Sequence, residues 1–195
     1  MARNIVYHAS VAAGLAILVM ATLAAGSVLA AAEPAYPALI TSAGQSPDGL
    51  ILKVVVNDKS GLNMPYKQLA KVEDLAGVKT LVFAVGVSAK GLGAAGINID
   101  QEIARVKALL EEAKKNNIYV VLVHIGGTAR RGASSDEVSK MVGSYAHRII
   151  VASAGNADGF FTKMAAERNI PLVIVEDRNA VGPEFVGLMP GTGKN

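Results

Sequence analysis

From residue 38 onward, short uninterrupted apolar runs alternate with stretches in which apolar residues recur every three or four positions. The clearest unit opens with Thr80-Leu81-Val82-Phe83-Ala84-Val85-Gly86-Val87. A run with no polar alternation is what a strand covered on both faces requires. It leads into a glycine-rich stretch, Ser88 to Asn98, read as a loop, and then into a helix from about Ile99 to Lys115. In that helix Ile103, Val106, Leu110 and Ala113 form one apolar stripe, with Arg105, Glu112 and Lys114 on other faces. Asn98 with Gln101 three residues later has the form of a capping box.

The same unit recurs along the chain. Ala38 to Thr41 is the first expected strand, Pro65 to Leu69 a short second one, and Ile118 to Val123, Ile149 to Ala152 and Pro171 to Val175 the fourth to sixth. Helices are predicted near Val72 to Leu75, Asp136 to Ser144, Asp158 to Arg168 and Pro183 to Leu188. Leu50 to Val56 fits either a strand or a helix. Ser46 as N-cap, Pro47 at the first helical position and Asp48 in the first turn decide for helix. Strands alternating with helices imply right-handed crossovers and a parallel sheet. The expected class is therefore α/β: a doubly wound, mostly parallel sheet of five to six strands in a flavodoxin-like three-layer sandwich.

Residues 1–32 read differently. Arg3 is the one fixed charge before Glu33, Ala9 to Ala32 is uncharged, and small residues precede Glu33-Pro34. This is the pattern of a signal peptide, with Val28-Leu29-Ala30 or Ala30-Ala31-Ala32 as the cleavage site. The alternative is an uncleaved anchor, since an apolar segment of this length can span a bilayer. Both place the rest of the chain outside the cytoplasm: secreted or periplasmic if cleaved, anchored and facing outward if not, with membrane contact only through residues 9–32. The expected organisation is residues 1–32 for export, 33–37 a linker, 38–190 one domain and 191–195 a polar tail.

Composition narrows the partners. The net charge is +3 and aromatics make up 5% with no Trp, so there is neither a basic stripe nor a stacking platform for nucleic acid. The absence of Cys removes disulfides and thiolate chemistry. No spacing supplies the three or four ligands of a metal site, so no metal is expected.

Gly91-Leu92-Gly93-Ala94-Ala95-Gly96 is a literal GxGxxG after a strand. Its glycines precede Ile97 and Asn98 instead of opening the helix, and the next strand ends in His124 where an acidic residue should hold a ribose. No dinucleotide or other cofactor is therefore expected. Gly86-Val87-Ser88-Ala89-Lys90 lacks the second glycine of a nucleophile elbow. His124 has no acidic neighbour in sequence to orient it as a base.

The runs Ser42-Ala43-Gly44-Gln45-Ser46-Pro47, Lys90-Gly91-Leu92-Gly93-Ala94-Ala95-Gly96-Ile97, His124-Ile125-Gly126-Gly127-Thr128-Ala129-Arg130-Arg131-Gly132 and Gly155-Asn156-Ala157-Asp158-Gly159 together resemble a family of uncharacterised secreted bacterial proteins classed as a domain of unknown function. The similarity spans nearly the whole chain after the export segment. It implies the domain boundaries and export, and it carries no mechanism.

Topology then locates a candidate site. Ligands of open α/β sheets bind beyond the carboxyl ends of the strands, where strand order reverses. In flavodoxin-like order that point lies between the first and third expected strands. Ser42, Gln45 and Ser46 from the first loop, Ser88, Lys90 and Gly91 from the second, and His124, Arg130 and Arg131 beside them are the expected ligand-binding residues, with an arginine pairing an anionic group. The reading is of an extracytoplasmic protein that binds a small anionic or polar ligand, with oligomerisation open. The alternatives are a hydrolase using His124 as base, and an assembly protein docking through the edge near Tyr66 or the glycine loop.

Overall fold

The computed structural model of the protein describes residues 32–189. Five parallel strands, β1 (Ala38–Ala43), β2 (Thr80–Val85), β3 (Tyr119–His124), β4 (Arg148–Ala152) and β5 (Leu172–Val175), lie in the order β1-β2-β3-β4-β5. Register is continuous, with Leu39 opposite Leu81, Leu81 opposite Val120, and Ile149 opposite Leu172. The expected second strand survives as one parallel bridge between Ile40 and Tyr66. Ile40 donates its N–H to the Pro65 carbonyl and accepts from the Lys67 N–H. In a parallel ladder both main-chain groups of one residue face the same neighbour, so this segment lies on the β1 edge away from β2. The chain thus leaves β1 in one direction, returns, and winds on through β2 to β5 in the other. That reversal is the flavodoxin-like switch point.

The second strand stops at a bridge for local reasons. Pro65 has no N–H to offer a ladder, and the Asn57 side chain takes both main-chain groups of Met64, donating to its carbonyl at 2.8 Å and accepting its N–H at 3.0 Å.

Helices cover both faces. α1 (Asp48–Lys53), continued by a π-helical segment Val54–Lys59, packs with α6 (Val181–Leu188) on one face. There Leu52, Val55, Val56 and Phe185 meet Ile40, Val82, Val121 and Ile150. α3 (Ile99–Lys115), α4 (Ala133–Gly143) and α5 (Phe160–Arg168) cover the other. There Val106, Leu109, Leu110, Val138 and Phe161 meet Leu81, Phe83, Leu122 and Val151. Alternate residues of each strand serve opposite layers, which is why the strand sequences are apolar throughout. Each fully buried Leu, Ile or Phe contributes about 1.5–3 kcal/mol.

Two features go beyond the expectations. Ser88 to Asn98 is not a loop along its length, because Ala89–Ala94 forms a short helix, α2. Ser88 caps it, its Oγ accepting the Gly91 N–H at 3.1 Å, and Leu92 anchors it in the interior. Two glycines in six residues made the sequence look irregular, but a cap and one buried anchor outweigh their low propensity. Residues 33–37, the expected linker, are fastened to the domain. Thr80 fastens them by accepting the Ala35 N–H at 2.9 Å and donating to the Ala35 carbonyl at 2.7 Å, and Ala32 is itself buried. Residues 1–31 of the segment expected to direct export, and the expected polar tail 191–195, lie outside the described residues. Among the described residues no helix is long and apolar enough to cross a membrane.

Candidate functional site

The loops after β1 and β2 meet at the switch point and bond to each other. Gly86 donates to the Ala43 carbonyl at 2.9 Å, Ser46 to Gly86 at 3.2 Å and Ser88 to Gly44 at 2.9 Å. Following this path puts Gly44 at φ +107° and Gln45 at φ +60°. The second value is uncommon for a side chain larger than glycine, and a buried polar cluster holds it in place. Glu102, fully buried on α3, accepts from the Gly44 N–H at 2.8 Å and from the Gln45 amide at 2.9 Å. Arg105, one turn on, pairs with Glu102 at 2.8 Å and donates to the carbonyls of Ser42 at 2.6 Å and Ala70 at 3.0 Å. Gln68 closes the cluster by donating to Gln45 at 2.9 Å.

In front of this frame is a cleft of about 600 Å³ lined by residues of three loops and α1. Gln45, Ser46 and Pro47 come from the first loop, Ser88, Lys90, Gly91 and Ala94 from the second loop and α2, and Arg130 from the segment after β3, with Leu50, Tyr66 and Gln68 completing the wall. Lys90 is exposed, and among the described residues its ammonium group has no ion pair or hydrogen bond. Arg130 is half-buried, its Nε 3.8 Å from the carboxyl of Asp48, which is itself buried. Gly126 allows that approach: a Cβ there would meet the stem of Arg130 and lie 2.6 Å from the Asp48 Oδ2. Burial of the Tyr66 ring, which packs over Gly49, raises its phenol above the usual tyrosine range.

Six of the nine residues expected from sequence therefore line one cleft: Gln45, Ser46, Ser88, Lys90, Gly91 and Arg130. The first-loop side chains are not the free donors expected. The Gln45 amide is spent on Glu102, and the Ser46 hydroxyl donates to Asp48 at 3.0 Å. Lys90 and Arg130 are the cationic groups of the lining.

The other three lie elsewhere. Ser42 sits inside the sheet, fully buried. His124 is also fully buried, with Nδ1 3.0 Å from the Val85 carbonyl and Nε2 3.2 Å from that of Gly127. Phe161 lies 5.2 Å from its ring, and Gly155 presses so close that a Cβ there would fall 2.8 Å from Nε2. A strand's last residue continues its alternation, and here that turns the side chain toward α5. The ring offers neither nitrogen to the cleft, so the base expected at His124 has no access to a molecule bound there. Arg131 turns away from its neighbour Arg130 and ties the loop to α4 and α5. It bonds Asp136 at 2.7 Å, Asp158 at 2.9 Å and the Gly155 carbonyl at 2.7 Å, with Phe160 beneath its guanidinium. Its hydrogen bonds with Asp136 raise the pKa of Arg131 and lower that of Asp136, and Asp158 is lowered in the same way. Arg131 is a structural clasp.

Sequence reasoning missed Asp48, Leu50, Tyr66, Gln68 and the Glu102–Arg105 pair. Glu102 carried a signal: it falls on the apolar side of α3, between Leu109 and Ala113 in the helical wheel.

With this geometry in view, the comparisons place the chain. It belongs to the family described as a domain of unknown function (DUF6305), whose profile matches residues 35–189. No curated protein matches the sequence. Among solved structures, it is similar to a protein from Desulfitobacterium hafniense DCB-2 described as lipolytic and of the G-D-S-L family, at 15% identity and a TM-score of 0.31, over 73% of this chain and 77% of that one.

Proposed function

We propose that this protein acts outside the cytoplasm as a single-domain binding protein and takes a small anionic ligand in the cleft at the switch point. The observation that carries the reading is the meeting of Lys90 and Arg130, from separate strand ends, across one concave surface. Among the described residues Lys90 has no partner, and Arg130 has the Asp48 carboxyl at 3.8 Å. An unpaired cation in a pocket of this volume is the complement of an anionic group.

Thermal-shift measurements with carboxylates, phosphates and nucleotides test the binding. A ligand at a hundred times its Kd should raise Tm by about 5–10 °C, and Lys90→Ala should weaken its affinity by about tenfold. If no anion shifts Tm, or if the shift survives loss of both Lys90 and Arg130, the cleft is not the site. Location is tested separately by mass spectrometry of the protein's amino terminus. A chain beginning at Ala31 or Glu33 shows processing, whereas one that retains residues 9–32 shows an anchor. Because Ala32 packs in the domain core, Ala31 is the expected first residue.

A further inference from the structure

We infer that the ligand is an amphiphilic monoanion, a carboxylate that carries an apolar body. This rests on the cleft being a ligand site and goes on to its chemistry.

Two features of the lining set the class. The first is charge. Lys90 and Arg130 bring two positive groups, but Asp48 lies 3.8 Å behind Arg130, so the cleft carries a net charge nearer +1 than +2. One carboxylate balances that, whereas a phosphate dianion would place its second charge near Asp48. The second is the apolar wall. Pro47, Leu50, Tyr66 and Ala94 are part of the lining. Leu50 is 56% exposed, the most exposed large hydrophobic side chain among the described residues. It lies on the face of α1 that turns from the core while Leu52 and Val55 fill it. An exposed leucine inside a concave site is a surface for an apolar ligand group to cover. Among the polar groups of the lining, Gln45 is engaged with Glu102 and Ser46 with Asp48, and the Ser88 Oγ accepts the Gly91 N–H. The lining thus offers cationic and apolar groups together, which is what an amphiphile requires.

The test uses the full-length protein and calorimetric titration with acetate, butyrate, hexanoate, octanoate, octan-1-ol and inorganic phosphate. Affinity should rise from butyrate to octanoate by up to about fourfold per methylene, and octan-1-ol should bind at least tenfold more weakly than octanoate. Leu50→Ser, an exposed position whose change leaves the core intact, should cut octanoate affinity by about tenfold and leave acetate unchanged. Phosphate binding with octanoate no better than acetate would overturn the amphiphile while leaving the anion site in place. Octanoate binding that ignores Leu50→Ser would also overturn it, since the chain would then lie elsewhere. No binding by any of these anions would remove both this inference and the binding function beneath it.

Discussion

Replacing Glu102 by alanine will lower the stability of the domain by about 3–5 kcal/mol, a fall in Tm of roughly 10 °C or more. Glu102 has no solvent exposure, and Arg105 is largely covered. Removing the carboxyl group leaves a buried guanidinium without its counter-charge. It also strips the acceptor from the Gly44 N–H and the Gln45 amide. An unsatisfied buried donor costs about 1–3 kcal/mol by itself, so the loss lies well above that of an exposed ion pair. Glu102→Gln, which keeps the shape and one acceptor, should fall between the two. Removing both partners, as in Glu102→Leu with Arg105→Met, should recover part of the loss, though the carbonyls of Ser42 and Ala70 lose their donor. Reversible urea denaturation measures all three. A Glu102→Ala protein within about 1 kcal/mol of wild type would show that this cluster does not hold the switch-point loops.

The second large effect is expected at Gly91. A Cβ on this residue would overlap the main-chain carbonyl oxygen of Gln45. The atom in the way belongs to a backbone pinned by the Glu102 cluster, so it cannot rotate aside as a side-chain tip can. Gly91→Ala should therefore cost about 3 kcal/mol, the upper end of what overpacking does. It should also push α2 and Lys90 out of position, weakening anion binding. Gly93, two residues on in the same helix, is the internal control. Nothing lies within 4 Å of a Cβ built there, and alanine is the better helix former by up to about 1 kcal/mol. Gly93→Ala should be neutral or stabilising. Equal melting temperatures for the two variants would mean that the close approach of Gln45 to α2 is not what sets this glycine.

Much of the architecture was legible because it rests on local periodicity. The strand runs from Thr80 and Ile118 pack on both faces as their unbroken apolar character demanded, and the capping box at Asn98 starts α3 where the sequence placed it. The helical reading of Leu50 to Val56 followed from its start signals, and it mattered most, since it put the switch point between β1 and β2. Six candidate residues could be placed together because parallel strands put all their carboxyl ends on one edge of a sheet. Side-chain direction was a different matter. Arg130 and Arg131 are adjacent in sequence, yet one faces the cleft and the other binds Asp136 and Asp158 from elements yet to come in the chain. His124 at the end of β3 is turned inward by alternation and held by Val85 and Gly127, contacts that no local pattern encodes.

By itself, then, the sequence determined the layers, the strand order and the edge on which a site could form, because apolar spacing and caps act within a few residues of their cause. Only the tertiary structure decided which polar groups on that edge stay free. That depends on partners some sixty residues apart, Glu102 reaching Gln45 and Arg105 reaching Ser42, and a buried polar group is satisfied wherever the fold brings it a partner.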